Sequence, residues 1–426
     1  MKSRTLTLIS FISLFTAMAI PVRLIGQVNY IVTDLGSLGG SFSAPNTINN
    51  RGQIAGSSNL KGDVVGHAFF WENGKMTDLG TLGGPISVGA GINNSGEVVV
   101  GADTSLFGGL PNTICATNAI CRMFIWRKGV KVVPDLGTLE GGTDTGIYDI
   151  VSFGSGTNMI NNRHQVIGQA DIPVIDPNLS PIAISRAFLW EKGGMTDLGV
   201  LGDGHDAFAN AINDEGQVVG ASQYTASSDP ALQFPPPHTF LWQKGSMTDL
   251  GAFPGAKISN GLGINNAGQI VGLSTIPGDN DFHSALWSGG VLTDLGVFPG
   301  DTDSAANAIN SRGQIVGASG GPTTLRAMLW ENGLGIDLNT RIAASSGWQL
   351  LFATDINDRG QITGFGIHNN PNGQSSFLLT PIADPNTKDP PGTSASTIRG
   401  TFVEKNGMTL PELFHHQLRG RLRTNH

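Results

Sequence analysis

The sequence is poor in charge and in long apolar runs. Only 14% of its 426 residues are Asp, Glu, Lys or Arg, against roughly 25% in average domains. The formal net charge is −8. An acidic chain without clustered basic residues is not expected to bind nucleic acid or anionic lipid. After the first twenty residues no apolar run reaches the ~20 residues that cross a bilayer, so the mature chain is predicted to have no membrane span.

Recognisable catalytic and metal-binding motifs are also missing. The sequence has no His-Glu-x-x-His, no P-loop and no cysteine cluster of the zinc type. Gly317–Gly321 fits the G-x-S-x-G pattern, but it follows a predicted strand and opens no helix, unlike a nucleophile elbow. The chain is therefore expected not to be an enzyme. A hydrolase with paired carboxylates stays an alternative, since such pairs follow no spacing rule in a sequence.

The first nineteen residues are typical of a secretory signal peptide. Lys2 and Arg4 precede the uncharged apolar stretch Leu6–Ala19, whose last three residues fit the small-x-small cleavage rule. An uncleaved membrane anchor is the alternative. Export predicts a secreted, periplasmic or cell-surface protein. In such an oxidising compartment the two cysteines, Cys115 and Cys121, are expected to form a disulfide.

Against this background one module recurs seven times. It starts with Ile-Asn, followed after two residues by a turn position, usually Gly, and an apolar strand, at intervals of 44 to 68 residues. The seven copies begin at Ile48, Ile92, Ile160, Ile212, Ile264, Ile309 and Ile356. An aromatic run with tryptophan follows in six of them, at Trp71, Trp126, Trp190, Trp242, Trp287 and Trp330. A period near 50 residues is typical of propeller blades, and tryptophan recurring at one position is expected in the core.

Each module predicts four short strands. Strand A ends in Ile-Asn, and an Asn-x-x-Gly turn leads to strand B; in this turn the Asn side chain is expected to bond to its own backbone two residues on. The aromatic run is strand C, and strand D ends in Asp-Leu-Gly. One blade cannot bury both of its faces, so neighbouring blades must stack. The sequence therefore predicts an all-β fold, a seven-bladed β-propeller of four-stranded antiparallel blades, over residues 28–383.

The two ends of the repeat region predict how the ring closes. Tyr30–Gly36 matches strand D without a preceding strand C, while the seventh module has no clear strand D after Leu379. The N-terminal strand is therefore expected to complete the last blade. Thr401–Leu410, which resembles a C–D hairpin, is the competing candidate. It belongs to a tail, 397–426, that follows a Pro-rich linker, 384–396; the end of the tail is expected to be solvated, with a short helix as the alternative.

The markers together resemble those of a known family. His-Ala-Phe at His67–Phe69, the Trp, Asp-Leu-Gly, Ile-Asn and Gly-Gln-Val-Val-Gly are similar to the extracellular HAF repeat family of bacteria, over about residues 29–380. The resemblance implies a secreted or surface repeat protein with a propeller-like fold. It implies no activity, because the family has none firmly assigned. The later copies depart from the pattern: Leu379 stands in place of Trp, and Asn339 in place of the Gly of Asp-Leu-Gly.

Two sets of polar residues are candidate ligand contacts. A basic residue stands four positions before each module Trp, at His67, Arg122, Arg186, His238, His283 and Arg326. These residues either bond to a neighbouring backbone or to the Asp of Asp-Leu-Gly, or form a ring of donors for a carboxylate or sugar. The second set consists of acids in predicted D–A loops, at Asp203, Asp206, Asp301 and Asp303. Asp301 and Asp303 are also weak candidates for binding Ca²⁺, and no other cofactor is predicted.

Variation between the copies indicates which face works. The A–B and C–D turns are short in every copy, whereas the B–C loops are long at Ala102–Cys121, Gln169–Ser185 and Ser222–Pro237. B–C and D–A loops emerge on one face of such a blade, and binding residues concentrate in loops on a rigid scaffold. We expect a monomeric, non-catalytic module that binds a glycan, peptide or envelope partner through this face. A carbohydrate hydrolase and a purely structural surface protein are the alternatives.

Overall fold

The computed structural model describes residues 29–107, 119–146, 158–173, 183–224, 236–278, 281–368 and 374–382. In this part of the chain, 28 strands form seven four-stranded antiparallel sheets, arranged as a seven-bladed β-propeller, as predicted. The predicted signal peptide, linker and tail lie outside the described residues, as does most of each long B–C loop. No helix of the described chain is both long enough and apolar enough to cross a bilayer.

The strands of each blade are lettered A to D from the axis outwards, since the A strands of successive blades contact one another. The A strands of blades 1 to 7 are β2 (Gly39–Ile48), β6 (Gly83–Ile92), β10 (Thr145–Gly146), β14 (Ala207–Ile212), β18 (Ser259–Ile264), β22 (Asp303–Ile309) and β26 (Trp348–Ile356). The B strands are β3 (Ile54–Leu60), β7 (Val98–Phe107), β11 (Val166–Pro173), β15 (Val218–Gln223), β19 (Ile270–Thr275), β23 (Ile315–Gly321) and β27 (Ile362–His368).

The outer strands follow the same order of blades. The C strands are β4 (Gly66–Glu72), β8 (Ala119–Arg127), β12 (Ala183–Glu191), β16 (Pro237–Gln243), β20 (Phe282–Ser288), β24 (Thr324–Glu331) and β28 (Ser375–Pro381). The D strands are β5 (Lys75–Asp78), β9 (Val130–Val133), β13 (Gly194–Asp197), β17 (Ser246–Gly251), β21 (Val291–Gly296), β25 (Leu334–Asp337) and, in blade 7, β1 (Tyr30–Asp34). Two 3₁₀ helices, Leu338–Arg341 and Ala344–Ser346, lie between β25 and β26.

The N-terminal strand closes the ring. Blade 7 has the order β1-β28-β27-β26, with Tyr30 opposite Pro381 and Asp34 opposite Phe377. The Ile382 N–H donates to the Asn29 carbonyl oxygen at 2.8 Å, so the strand is paired to its first residue. Burial, followed by the charge of a nearby glutamate, raises the pKa of the Tyr30 hydroxyl to about 12. The pairing of β1 with β28 confirms closure by the N-terminal segment. The competing segment Thr401–Leu410 lies outside the described residues.

Backbone geometry explains the turn residues of the module. In the C–D turns two successive residues have positive φ, for example Asn73 at 51° and Gly74 at 81°. That pair is the mark of a type I′ turn, which matches the twist of a hairpin and favours Asn-Gly. In the A–B turns the Gly of Asn-x-x-Gly has positive φ, as at Gly216. Blade 3 has His164 at this position, with φ of 62°, in contact with Glu97 of blade 2.

The core lies between the blades. The aromatic residue two positions before each module Trp is fully buried in blades 1 to 4, at Phe69, Phe124, Phe188 and Phe240. Five of the six module tryptophans are also buried, as expected from their recurrence, and Trp242 is half-buried. Phe188 and Trp190 of blade 3 belong to one apolar cluster with Ala209 and Ile212 of blade 4. Strand C of one blade therefore packs on strand A of the next.

Candidate functional site

On the face of the A–B turns, the seven Asn residues of the Ile-Asn pairs form a closed ring of hydrogen bonds. Each side-chain Nδ2 donates to the carbonyl oxygen of the equivalent Asn in the next blade, over 2.8–3.3 Å. The seven residues are Asn49, Asn93, Asn161, Asn213, Asn265, Asn310 and Asn357. Asn357 donates back to Asn49, so the ring is continuous across the point of closure.

The same side chains also organise their own turns. The Oδ1 atom of Asn213 accepts the N–H groups of Glu215 and Gln217, both at 3.0 Å. The Asn-x-x-Gly pattern predicts this local bond, whereas the bond between blades was not predicted. A signal was present, however: Asp could make the local bond but has no donor, and Ser has both functions on one short hydroxyl, whereas Asn accepts at Oδ1 and donates from a separate Nδ2. An Asn in all seven copies therefore indicates the second role.

Replacing Asn213 by Asp is expected to destabilise the propeller by about 1–3 kcal/mol, because it removes the buried Nδ2 donor that bonds to the Asn265 carbonyl oxygen and to Oε1 of Gln217. The local acceptor oxygen is retained, so the turn itself should persist. Urea denaturation followed by fluorescence measures the change. The matched exposed control, Asn73→Asp in a C–D turn, should stay within about 0.5 kcal/mol of the parent protein. Equal stabilities for the two variants would contradict the role of the ring.

A second ring follows the first, at the mouth of the central axis. Its members are Asn50, Asn94, Asn162, Asp214, Asn266, Ser311 and Asp358, and they line a cavity of about 180 Å³. In six of the seven, all but Ser311, a side-chain oxygen accepts the N–H group of the equivalent residue in the preceding blade, as Asp214 does from Asn162 at 2.8 Å. Burial alone would raise the pKa of the Asp214 carboxyl, but hydrogen bonds from Asn162 and Asn266 hold it below its usual value. The mouth therefore serves mainly as a structural closure.

One buried acid stands beside this mouth. Asp355, directly before the Ile-Asn pair of blade 7, accepts the N–H groups of Ile48 at 2.9 Å and Ile356 at 2.7 Å. Burial raises the pKa of the Asp355 carboxyl to about 7, against the effect of these two hydrogen bonds. Equivalent positions in blades 4 to 6 hold Ala211, Gly263 and Ala308. An ionisable group here therefore makes the closure sensitive to pH.

The basic residues before the module tryptophans lie at the B–C ends of the C strands, on the predicted face. Five of the six contact an Asp on strand D or at its end, at 2.9–3.6 Å; the pairs are His67–Asp78, Arg122–Asp135, His238–Asp249, His283–Asp294 and Arg326–Asp337. Each Asp also accepts an N–H from its own turn, as Asp78 does from Gly80 at 2.7 Å. Nε of Arg186 is buried without a hydrogen-bond partner. These contacts match the structural alternative, and ligand binding by the ring stays a prediction.

The acids of the D–A loops are largely engaged in the fold. Asp206 accepts the Ser185 N–H at 2.7 Å and Asp303 the Phe282 N–H at 3.0 Å, both from strand C of the preceding blade. Burial raises the pKa of the Asp206 carboxyl. Asp203 is exposed. Such bonds between blades give these loop acids a structural role.

Asp301 has a different set of partners. Its carboxylate receives Nε of Arg326 at 3.0 Å and the hydroxyl groups of Ser319 and Thr324. Among the described residues, no group of three or more His, Cys, Asp or Glu side chains could hold a metal ion. Calcium binding at Asp301 and Asp303 stays a prediction, which the Arg326 contact disfavours. Cys121 is buried and disulfide-bonded; its predicted partner, Cys115, lies outside the described residues.

A cleft of about 390 Å³ lies along strand β1 of blade 7 and the connection between blades 6 and 7, and its end at Asp34, Trp348 and His368 reaches the B–C/D–A face. It is built where the chain departs from the module. Asn339, in place of the usual Gly, accepts the Leu350 N–H and donates to the Leu350 carbonyl oxygen, and so anchors the two 3₁₀ helices of this D–A connection. The lining residues are Asn29, Tyr30, Ile31, Val32, Asp34, Thr340, Arg341, Ile342, Ala343, Ser346, Trp348, His368 and Ile382. We call this site the blade 6–7 cleft.

Aromatic and charged groups meet in the blade 6–7 cleft. The Trp348 ring stacks on His368 with centroids 4.5 Å apart and planes at 9°. Nδ1 of His368 lies 3.2 Å from Oδ2 of Asp34. In blade 7 the module's basic position is Ser375, so His368 from strand B takes over as the partner of the strand D aspartate. Nη1 of Arg341 is buried and has no hydrogen-bond partner.

The sequence analysis did not identify this site. Six of the seven tryptophans occupy the recurring position on strand C, and Trp348 is the seventh; His368 likewise belongs to no repeated position. The departures of the sixth and seventh copies from the pattern were the available signal, because an irregular blade in a regular ring is where a site can form without disturbing the others.

Comparisons with known proteins found distant structural matches and no family. No protein-family model matches the chain, and no curated protein does. Pyrococcus horikoshii acylaminoacyl peptidase matches with TM-score 0.49 and 8% identity, over 80% of this chain and 52% of that one. A catalytically inactive virginiamycin B lyase from Staphylococcus aureus matches with TM-score 0.40 and 12% identity, over 83% and 100%. The β-propeller domain of the Trilobed protease from Pyrococcus furiosus gives 0.36 and 9%, over 70% and 98%. Such distant similarity extends to the fold alone.

Proposed function

We propose that this chain is an exported, non-catalytic propeller of the HAF repeat type that binds a glycan of the cell envelope through its B–C/D–A face. The blade 6–7 cleft carries the proposal. Its volume of about 390 Å³ falls within the ~300–1,000 Å³ of small-ligand sites, which combine apolar walls with a few polar groups. Trp348 offers a surface for the C–H groups of a sugar ring, while Arg341 and Asp34 supply a donor and an acceptor.

The alternative of a hydrolase gains no support from a carboxylate pair on the same face. Asp144 and Asp171 both contact the Thr143 hydroxyl, at 2.8 Å and 3.0 Å, so the two acids are close. Both are 1% exposed, and Asp144 also accepts the Cys121 N–H at 2.8 Å. A glycosidase needs two carboxyl groups that flank a bound substrate. Buried acids that bond to the backbone do not meet this requirement.

Binding is tested on a glycan and cell-wall array with the full chain as it is released from cells, with and without Ca²⁺. Trp348→Ala is expected to weaken binding about tenfold or more, because loss of an aromatic contact of about 1.4 kcal/mol corresponds to that factor. Tyr224→Ala is the matched control, since Tyr224 stacks on His238 at 4.2 Å in blade 4, away from the cleft.

The outcomes separate the three hypotheses. Binding that weakens in Trp348→Ala but not in Tyr224→Ala supports the cleft as the site. Release of a shortened glycan would favour the hydrolase, and a folded protein that binds nothing would favour a structural role. N-terminal sequencing of the released protein checks export on the same sample, with cleavage expected after Ala19.

A further inference from the structure

We propose that the blade 6–7 cleft selects a saccharide that carries a carboxylate, such as a uronic acid residue. The inference rests on the proposed binding function and adds the chemical class of the ligand. Its starting point is Arg341, which lines the cleft with a buried Nη1 atom that lacks a hydrogen-bond partner. Buried donors are almost always paired in proteins, so an unpaired guanidinium N–H in a cavity indicates a missing acceptor.

A carboxylate is the acceptor that best fits a guanidinium group. Arginine presents parallel N–H donors in a planar fork that matches the two oxygens of a carboxylate and is always charged. Asp34 also lines the cleft, but its carboxylate already has partners: Oδ2 lies 3.2 Å from Nδ1 of His368, and Oδ1 accepts the Gly36 N–H at 2.8 Å. Asp34 is the acid among the lining residues of the cleft, so the cleft wall supplies Arg341 with no other carboxylate.

The other walls fit a sugar rather than a simple organic acid. Trp348 lines the same cleft as Arg341 and stacks on His368, and Ile31 is 58% exposed at the cleft. Flat apolar surfaces of this kind suit the C–H groups of a pyranose ring. Asp34, with 43% of its side chain exposed, offers an acceptor for ring hydroxyls. A ligand with a carboxylate at one end and hydroxyl groups around an apolar ring uses all of these groups.

The experiment compares matched acidic and neutral oligosaccharides by isothermal titration calorimetry. Oligogalacturonate and its carboxyl-reduced counterpart differ only in the group that Arg341 would recognise. We expect the full chain to bind the acidic form at least tenfold more tightly, and added salt to narrow the difference. Arg341→Gln should abolish the preference while neutral binding persists, and Arg341→Lys should restore part of it, since Lys keeps the charge without the fork. Arg51→Gln, an exposed arginine on the opposite face, is the control.

The results distinguish a failure of carboxylate selection from a failure of the proposed glycan binding. Equal binding of the two oligosaccharides, with loss of both in Trp348→Ala, would overturn selection of a carboxylate and leave the proposed function intact. No binding of either form would count against both. Binding that appears only after removal of residues 384–426 would show that the tail occupies the cleft and would overturn the proposal. Thermal melting checks folding of each variant, and Arg341→Lys replaces Arg341→Gln if the latter is unfolded.

Discussion

A chain that lacks residues 29–34 is expected to lose cooperative folding of the whole ring. The deletion removes β1, whose five residues all pair with β28, and leaves β28 as an open edge. It also removes Tyr30, which is 4% exposed and packs with Leu338, Ile342 and Leu350 in the cluster that joins blades 6 and 7. Because each blade is stabilised by its neighbours, the loss spreads beyond blade 7. Circular dichroism melting and limited proteolysis measure it.

A circular permutant separates the loss of the strand from the change of the terminus. The Ile382 N–H lies 2.8 Å from the Asn29 carbonyl oxygen, so an Asn-Gly turn can join residue 382 to residue 29, with new termini opened between Gly36 and Ser37. This permutant omits the tail and should keep a cooperative transition, since blade 7 then has the same C–D hairpin as the other blades. A deletion variant that melts like the parent protein would show that β1 does not hold the ring closed.

Between about pH 4 and pH 7, Asp355 is expected to lower the stability of the propeller as the pH rises. Its carboxyl has a pKa of 3.8 as a model value and about 7 in the folded protein, where burial disfavours the charge. The folded state therefore binds more protons than the unfolded state in this window, so the free energy of unfolding falls with increasing pH. The difference between the two pKa values corresponds to a destabilisation of the folded state on the order of 4 kcal/mol, which is reached above about pH 7.

Asp355→Asn should remove this dependence. Urea denaturation from pH 4 to pH 8 is expected to show the free energy of unfolding of the variant rising relative to the parent protein as the pH rises. Asp214→Asn is the control: the pKa of Asp214 is lowered in the fold, so its stabilising contribution is complete above about pH 4 and is lost only on further acidification, and its profile from pH 4 to pH 8 should run parallel to that of the parent protein. Parallel pH profiles for the parent and Asp355→Asn would contradict the assignment.

The turns and strands within one module could be predicted, because they depend on residues close together in the sequence. The Asn-x-x-Gly and Asn-Gly-type turns place strand ends through backbone conformation alone, which is why strands A to D were predicted close to their observed bounds. Closure could be predicted because Tyr30–Gly36 is a strand D without its hairpin partner. Both inferences compare segments within the chain and need no knowledge of how the blades face each other.

The contacts between blades could be predicted less well. Asn213 was assigned a local turn bond, but its Nδ2 reaches the Asn265 carbonyl oxygen, 52 residues away. Asp206 and Asp303 were interpreted as candidate ligand contacts, whereas they bond to N–H groups of the preceding blade. In each case the residue type was noticed, and its partner was not, because the partner is set by the rotation from one blade to the next.

The sequence by itself determined the number of blades, their strand order and the strand that closes the ring, because periodicity and turn conformation are local properties that repeat. Only the tertiary structure decided which polar groups are satisfied. It joined seven amides into one ring and paired His368 with Asp34. It also left Nη1 of Arg341 without a hydrogen-bond partner, in the cleft that Trp348 lines. These outcomes depend on distances between segments brought together only by closure of the ring, so no single module contains them.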